Sequence, residues 1–486
     1  MNQKSTIIAD HREKQVLVND KQKNQAIACD THSVSGVVSQ RACVYCGARV
    51  VLNPITDAAH IVHGPIGCAS YTWDIRGSLS SDSELFRTSF STDLREHDII
   101  FGGEKKLIAA IDEIVIREKP KAVFIYSTCV VGVIGDDVKA IAKKAEIKHG
   151  IRVIPVHSSG FSGSKKDGYK AACHAILDLM GPEKVEVKTP HSLNFLGDFN
   201  LAAEAWIIRD YLETIGLELK TVITGDATID SLRAAKSASI NVVQCAGSMT
   251  YLAKQMKMNY DIPFENIRFF GIKDTIRSLR KIVFSIGTEE HVKRFETLVA
   301  QKEAYYQPMV EAYKRKLIGK KVALYVGGGF KAISLIEQFA DLGIQTVLVG
   351  TQTGSKEEYE QFRKLTGEGT VILDDTNPTE LEHFIKETGA HILVGGVKER
   401  PLAYKLGVSF IDHNHERKHP LCGFEGALNF AMEVDATVNS PVWDIVKTFK
   451  PNNETKSESK TKSKTKQAKK EKPFDVIDLT IEGGIL

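Results

Sequence analysis

The sequence predicts an α/β fold with several doubly wound units, in which parallel strands alternate with the helices that cover them. From about residue 95 onward, short runs of β-branched residues alternate with longer amphipathic stretches. The short runs are apolar throughout, which is typical of strands in parallel sheets that are buried on both faces. The 486-residue chain is 42% hydrophobic and 26% charged, a globular composition long enough for two or three domains.

Each predicted strand is followed by a predicted helix. The strands are KAVFIYST (121–128), IRVIPVH (151–157), TVITG (221–225), NVVQ (241–244), KKVALYVG (320–327), IQTVLVG (344–350), TVILDD (370–375) and HILVGG (391–396). Residues 287–317 form one long helical stretch that we expect to connect to a new unit starting at Lys320. The polar, Lys-rich run 452–472 predicts disorder, because it cannot bury enough apolar area to fold.

The charge balance and the apolar pattern exclude several classes of protein. Lys and Arg number 64 against 61 Asp and Glu, a net charge of +3 that does not suggest a nucleic-acid binder. No run approaches the roughly 18 apolar residues of a membrane helix, and the first thirty residues lack the apolar core of a secretory signal. We therefore expect a cytoplasmic protein whose eight cysteines are core residues or ligands rather than disulfides.

Three cysteines lie where a ligand could reach them. Cys129 and Cys245 each follow a predicted strand and precede a helix, and ligands collect beyond the carboxyl ends of parallel strands. The N-terminus of a helix also favours a thiolate. Cys68 ends the loop HGPIGC (63–68), whose glycines allow close approach of the backbone to a bulky ligand. For each cysteine the alternative is a small hydrophobic residue that closes the core.

The remaining motifs are less specific. Cys43 and Cys46 form a single C-x-x-C, which fits zinc, redox or iron–sulfur chemistry, and the lack of a second such pair disfavours a zinc ribbon. Thiolates from several segments suit an iron–sulfur cluster, with a fourth ligand still to be supplied. The glycines after VALYV lack the spacing of a dinucleotide-binding loop. We expect Gly327 and Gly328 to turn the chain or to approach another ligand.

A set of longer motifs resembles the nitrogenase component 1 family, and most closely its cofactor-assembly branch. They are CVYCGARVVLNPITDAAHIVHGPIGCASYTWDIRG (43–77), DIIFGGEKKL (98–107), STCVVGVIGDDV (127–138), VVQCAGSMTYLA (242–253), GGVKERPLAYKLGVSF (395–410) and GFEG with NSPVW (423–443). The resemblance implies three Rossmann-like domains with mostly parallel sheets. We place an N-terminal extension at 1–35, a domain with interface-cluster cysteines at 36–215, a domain with a cofactor-anchoring cysteine at 216–318, a domain closing the cofactor site at 319–445 and a disordered tail at 446–486.

The resemblance also implies two metal sites. Cys43, Cys68 and Cys129 match the cysteines with which the α-type subunit holds a cluster at its interface, here expected to be a [4Fe-4S] cluster with its fourth ligand from a partner. Cys245 matches the anchor of the iron–molybdenum cofactor and is expected to hold an iron–sulfur precursor of it. Cys46 falls at a position that is not a ligand.

Further residues match positions around the cofactor, and some depart from the catalytic α subunit. Arg76 and Lys398 match basic positions, and Gly327 and Gly328 are placed at the same site. We place Lys166 and Lys170 where the catalytic subunit has a glutamine and a histidine. The position of the histidine that ligates molybdenum falls on Asn414 when counted from upstream and on His413 when counted from downstream. We favour Asn414, because the upstream segment aligns without a gap, and His413 or His415 could still reach the metal.

These departures favour a scaffold over a turnover enzyme. The scaffold would hold the precursor while molybdenum and homocitrate are added, then pass it to apo-nitrogenase. Its implied partners are a NifN-like β-type subunit in an α2β2 heterotetramer, the nitrogenase iron protein with ATP, and NifB as precursor donor, with no nucleic acid or membrane. The alternatives are a divergent catalytic α subunit, a tetrapyrrole reductase subunit and a plain nucleotide-binding protein. Lys166, Lys170 and Asn414 argue against the first, and Cys245 argues against the second.

Overall fold

The computed structural model describes residues 12–23, 26–29, 43–72, 88–352, 354–413, 419–443 and 445. The helices are α1 (Val44–Leu52), α2 (Ile66–Tyr71), α3 (Glu96–Phe101), α4 (Glu104–Glu118), α5 (Cys129–Ile134), α6 (Val138–His149), α7 (Lys165–Met180), α8 (Glu204–Ile215), α9 (Ile229–Ala234), α10 (Ala246–Tyr260), α11 (Ile272–Ile286), α12 (Glu289–Leu317), α13 (Gly329–Asp341), α14 (Lys356–Leu365), α15 (Pro378–Thr388), α16 (Arg400–Leu406) and α17 (Gly423–Val438). The strands are β1 (Val16–Val18), β2 (Ala58–His63), β3 (Ser89–Ser91), β4 (Ala122–Ser127), β5 (Arg152–His157), β6 (Ser192–Asp198), β7 (Glu218–Thr224), β8 (Ile240–Val243), β9 (Phe264–Asn266), β10 (Lys321–Val326), β11 (Gln345–Thr351), β12 (Val371–Asp374), β13 (Ile392–Gly395) and β14 (Ser409–Asp412).

These strands form three sheets, which follow one another along the chain except that the N-terminal strand β1 belongs to the third. The first has the order β3-β2-β4-β5, the second β7-β6-β8-β9 and the third β1-β12-β11-β10-β13-β14. Every pairing is parallel except that of β1 with β12. This confirms the predicted α/β class with mostly parallel sheets. The division into domains at residues 215/216 and 318/319 stays a prediction, and β6 pairs with both β7 and β8 in the second sheet.

The central strands form because their side chains are apolar on both faces. Every residue of β2, β4 and β8 is buried, as continuous apolar runs in a parallel sheet require. The hydrophobic core is shared between sheets: one cluster joins side chains of the first and second sheets, such as Phe124 and Leu196. Another joins the second and third, such as Phe195 and Leu324. The three sheets are therefore held together by common apolar packing.

Two segments before residue 95 carry structure that the sequence patterns did not predict. The CVYC segment forms α1, and residues 58–63 form β2, the strand that leads into the HGPIGC loop. Part of the N-terminal extension also packs on the third sheet through β1. There the buried Arg12 pairs with Glu380 at 3.1 Å. The tail at 446–486 lies outside the described residues.

The long stretch predicted to be helical over 287–317 is α12, which ends just before β10 begins the third sheet. Among the helices of the described ranges, none combines the length and the apolar character needed to cross a membrane.

Candidate functional site

Four cysteines lie in the first turn or at the cap of a helix. Cys43 and Cys245 are the N-cap residues of α1 and α10, and Cys129 is the first residue of α5. Cys68 is the third residue of α2. Cys129 and Cys245 follow β4 and β8, as the sequence predicts. The free amide groups and the dipole of a helix N-terminus stabilise a thiolate, which is the form of cysteine that binds metal.

The structure brings Cys43, Cys68 and Cys129 together, and we call this the three-cysteine site. The backbone N–H of Gly160 donates to Cys129 Sγ at 3.1 Å. A Cβ added to Gly160 would lie 3.0 Å from Cys129 Sγ and 3.6 Å from Cys43 Sγ, so the two sulfurs flank the same glycine. Burial raises the pKa of Cys68, and the nearby Cys129 and Cys43 raise it further. The three thiols therefore share one electrostatic environment.

The loops that carry Cys68 and Cys129 are fixed to each other by hydrogen bonds. Thr128 Oγ1 donates to the carbonyl oxygen of His63 at 3.0 Å. The buried His63 ring contacts Asp136 Oδ2 at 3.0 Å through Nε2 and Thr92 Oγ1 at 3.0 Å through Nδ1. Within the described ranges, no three His, Cys, Asp or Glu side chains converge closely enough to hold a single metal ion. The role of the three cysteines as cluster ligands thus stays a prediction.

Exposed apolar side chains lie near the three-cysteine site. Phe161 follows Gly160 and is 66% exposed, and Val133 in α5 is 76% exposed. The Phe161 ring packs near Gly132 of α5, and α3 also contacts α5. In α3, Ile100 and Phe101 are 73% and 74% exposed. Neighbouring exposed apolar residues of this size mark interaction surfaces.

Cys245 lies at a second site, which we call the Cys245 site. It is half-buried at the end of β8 and packs against Gly197 at the end of β6. A Cβ on Gly197 would lie 2.7 Å from both the backbone nitrogen and the Cβ of Cys245, and Gly197 has a φ of +88°. Only glycine fits this position without displacing Cys245.

Helix α7 runs alongside α10 from the Cys245 site. Tyr169 interacts with the Cys245 thiol, Cys173 Sγ donates to the carbonyl oxygen of Ser248 at 3.7 Å, and His174 Nε2 lies 3.1 Å from the Tyr251 hydroxyl. Residues further along α7 contact residues further along α10. The helices therefore run in the same direction, with both N-termini at the Cys245 end.

A lysine that sequence reasoning missed connects the two sites. Lys165, the half-buried first residue of α7, hydrogen-bonds to Tyr169 and interacts with Cys46 and Tyr71. The interaction with Tyr169, followed by those with Cys46 and Tyr71, raises the pKa of Lys165 although burial lowers it. Burial raises the pKa of Cys46, which accepts a hydrogen bond from Tyr71. A line of polar side chains thus extends from Cys46, three residues after Cys43, to Cys245.

The structure places Lys166 and Lys170 away from this line. Both side chains are exposed, and Lys170 Nζ lies 3.5 Å from Asp167 Oδ1. One residue along a helix turns a side chain by about 100°, so Lys165 faces inward where Lys166 faces solvent. The signal was present in the sequence: Lys165 precedes the buried stripe Gly168, Ala172, Ile176 and Leu179 at helical spacing.

Helix α7 is joined to α1 by direct contact of backbones. A Cβ on Gly47 would overlap the carbonyl oxygen of Lys165, and one on Gly168 would overlap the carbonyl oxygen of Val44. This fixes the helix that begins after Cys43 against the helix that begins with Lys165.

The other predicted site residues vary in their placement. Lys398 is exposed but its charge acts on the Cys46 thiol. Gly328 caps α13, and a Cβ on Gly327 or Gly328 would meet nothing within 4 Å, so no contact within the described chain requires glycine at these positions. Arg76, Asn414 and His415 lie outside the described residues.

His413 is buried directly after β14 and is connected to the Cys245 region through Phe270 and Cys422. Its ring centroid lies 6.1 Å from that of Phe270, which forms an isolated bridge with Cys422. Gln244, the residue before Cys245, reaches Cys422 Sγ at 3.7 Å. Cys422 and Cys173 are buried core residues.

Comparison with known proteins agrees with this geometry. The family described as Nitrogenase component 1 type Oxidoreductase matches residues 43–439. A relative from Clostridium pasteurianum, named nitrogenase iron-molybdenum cofactor biosynthesis protein NifE, is 59% identical over 92% of this chain and 98% of its own length. A relative of the same name from Methanosarcina barkeri is 48% identical over 92% and 99%. The solved structure of nitrogenase Cp1 at pH 5 superposes with a TM-score of 0.81 at 29% identity, over 91% of this chain and 96% of that one. The chain belongs to the nitrogenase component 1 type oxidoreductase family.

Proposed function

We propose that this chain is the α-type subunit of a cytoplasmic scaffold on which the nitrogenase iron–molybdenum cofactor is assembled. The observation that carries the proposal is the Cys245 site: one half-buried thiol at a helix N-terminus, with Tyr169 and Lys165 beside it and apart from the three-cysteine site. The relatives from C. pasteurianum and M. barkeri are named for this biosynthesis. Those names do not favour the alternative of a divergent catalytic subunit.

The family implies metal–sulfur clusters, and the three-cysteine site fits a resident one. Three sulfur donors at helix N-termini, two of them flanking Gly160, are the soft donor set that iron–sulfur clusters require. We propose that Cys43, Cys68 and Cys129 hold a [4Fe-4S] cluster. When bound, such a cluster supplies electrons to the assembly reaction. The protein holds its thiolates and shields one side of it.

The family also implies a multi-subunit complex. We propose that a NifN-like subunit covers the exposed apolar residues near the three-cysteine site, supplies the fourth ligand and forms an α2β2 assembly with this chain. The nitrogenase iron protein with ATP would deliver electrons, NifB would supply the precursor and apo-nitrogenase would receive the product. The covering subunit is supported by Phe101, Val133 and Phe161, whose burial would remove apolar surface from water.

The precursor is the cargo of the Cys245 site. A single thiolate anchor favours release, whereas a second strong protein ligand would retain the cluster. In this proposal Arg76 and Lys398 are cations beside the cargo, and Asn414, rather than His413 or His415, takes the position of the metal-ligating histidine. Gly327 and Gly328 allow close approach of the cargo. Lys166 and Lys170 face solvent, so the inward cation of α7 is Lys165 instead.

Iron per chain in the anaerobically purified complex tests this function. We expect Cys245→Ala to lose the several irons of the precursor and to keep those of the three-cysteine site. Cys173→Ala is the matched control, because Cys173 is a buried thiol on the neighbouring helix and contacts α10. Equal iron in the wild type and Cys245→Ala would show that Cys245 anchors nothing. Iron near zero in an intact wild-type complex would remove the scaffold function altogether.

A further inference from the structure

A cavity of about 170 Å³ lies between the helices α11, α12, α13 and α17. None of its described lining residues belongs to the two cysteine sites. Its inner wall is apolar and is formed by the buried side chains of Ile272, Val310, Leu342, Ala427 and Phe430. The volume is close to that of the roughly 150 Å³ cavities that hold a benzene-sized molecule. The space therefore fits one six-membered ring.

One polar side chain is buried at this wall without a hydrogen-bond partner. Gln338 in α13 lines the cavity and is 5% exposed, and neither Oε1 nor Nε2 of its amide has a partner among the residues that the structure describes. Its Cγ packs against Gly271, where an added Cβ would lie 3.2 Å from it. A buried amide without partners is unfavourable, because it has lost its hydrogen bonds to bulk water. Gln338 thus offers a donor beside an acceptor to whatever occupies the cavity.

The charged side chains that line the cavity neutralise each other. Lys273 forms an ion pair with Asp341, and Lys314 Nζ lies 3.5 Å from Glu311 Oε1. Glu311 also accepts a hydrogen bond from Gln307 Nε2 at 3.2 Å. Two cations and two carboxylates leave the lining without net charge. The cavity therefore favours a neutral occupant over an ion, which would lose its hydration there without gaining a counter-charge.

We propose that this cavity binds a small neutral lactam carried on one six-membered ring, and that Gln338 recognises it. The lactam N–H donates to Gln338 Oε1 and the lactam carbonyl accepts from Nε2, while the carbon atoms of the ring contact the apolar wall. Ligand sites commonly combine such a wall with a few polar groups that fix orientation. Phe430 in this wall also contacts His413, with the ring centroids 6.4 Å apart. The occupant thus lies one side chain away from the segment that follows β14.

Binding of 2-pyridone to the purified full chain tests the proposal, because this molecule is a lactam on a six-membered ring. Titrations followed by saturation-transfer difference NMR give its dissociation constant and that of toluene, which has a similar size and no polar group. Gln338→Leu is expected to weaken 2-pyridone binding roughly tenfold and to change toluene binding by less than about twofold. Gln301→Leu makes the same change at an exposed position of α12 that does not line the cavity, and it should alter neither constant.

A cavity-filling variant gives the second readout. Ala427→Leu adds side-chain volume to the inner wall and should abolish binding of both molecules, and Ala427→Val replaces it if the leucine variant does not fold. Retained binding of 2-pyridone in the filled variant would place the molecule outside the cavity and overturn the proposal.

Two further outcomes would also overturn it. Lack of saturable 2-pyridone binding to the wild type would show that Gln338 pairs with water only. Equal 2-pyridone constants in the wild type and Gln338→Leu would show that the amide recognises nothing. These measurements do not involve iron, so their failure would leave the proposed function untouched.

Discussion

The three-cysteine site and the Cys245 site both place thiols at the N-termini of helices, but the surroundings of the thiols differ. In both, thiols stand at the N-termini of helices that follow parallel strands. Cys129 is exposed near apolar side chains, whereas Cys245 packs against the backbone of a neighbouring strand and has a cation nearby. The difference teaches that the same helix N-terminus gives a thiol different surroundings: one site lies beside exposed apolar side chains, and the other lies beside a buried backbone contact and a lysine.

The largest expected effect comes from a change at Gly197, the glycine that packs against Cys245. Gly197→Ala places a methyl group 2.7 Å from the backbone nitrogen of Cys245 and forces alanine to a φ of +88°. We expect a loss of about 4 kcal/mol in the free energy of unfolding of the second sheet, together with loss of the cargo. Urea unfolding followed by hydrogen exchange in β6 and β8 measures the first, and iron content the second.

Gly367→Ala, between α14 and β12, is the control, because a Cβ there would meet only Gln345 Nε2 at 3.8 Å and the position is not part of either cysteine site. It should leave cargo unchanged. Cargo retained in Gly197→Ala would show that Cys245 does not depend on this contact.

Acid should weaken the three-cysteine region through His60. This buried histidine lies in β2, near Ile55 and Tyr126, and burial lowers its pKa to about 3. Because the folded pKa lies below that of the unfolded chain, the stabilisation is present above about pH 6.5 and is lost as the pH falls. Between pH 7 and pH 4 the first sheet should lose about 3 kcal/mol. Hydrogen exchange of β2 and β4 amides in the wild type and in His60→Asn measures this loss. An equal loss in both proteins would contradict it.

Gly160→Ala should disturb the three-cysteine site alone. The new Cβ would lie 3.0 Å from Cys129 Sγ and 3.1 Å from Cys43 Cβ, and movable side chains can yield part of that distance. We expect about 2 kcal/mol of destabilisation and a several-fold loss of iron from this site, with cargo retained. Gly367→Ala is again the control. Loss of cargo in Gly160→Ala would show that the sites are not independent.

The smallest effect concerns the partner. Phe101→Ser removes an aromatic side chain that is 74% exposed, and it should raise the dissociation constant for the β-type subunit about fivefold, or about 1 kcal/mol. Ile147→Ser, at a comparably exposed apolar residue of α6, is the control and should leave binding unchanged. Titration of the purified subunits measures both constants. Equal losses would show that α3 does not belong to the interface.

The parts of the fold that could be predicted are those in which local pattern and tertiary packing agree. Strands such as β4 and β10 are apolar at nearly every position, so their burial is visible in the sequence. Strand β6 is fully buried but contains Asn194 and Asp198. Asn194 pairs with Asn241 Oδ1 at 2.8 Å and with the carbonyl oxygen of Ala235 at 2.9 Å. Those partners are distant in sequence, so no local pattern reveals them.

The residues of the candidate site also fall into those that a local pattern predicts and those that depend on tertiary packing. The placement of Cys129 and Cys245 at strand ends follows from periodicity, but the choice between Lys165 and Lys166 depends on the rotation of α7. That rotation is fixed by packing against α1 and α10, which lie far away in sequence. A shift of one residue changes little in a strand that is apolar and buried on both faces. On a helix, the same shift replaces a half-buried lysine with one that is exposed to solvent.

The backbone contact of Gly47 with Lys165 and of Gly168 with Val44 has a consequence for how this molecule can diverge. Because main-chain atoms touch there, the spacing between the helix after Cys43 and the helix that leads past Cys245 is independent of side-chain size elsewhere. Side chains on either helix can be exchanged while the separation of the three-cysteine site and the Cys245 site stays constant. The two glycines therefore keep the distance between α1 and α7 fixed. Substitutions at the three-cysteine site and at the Cys245 site can then change each site separately.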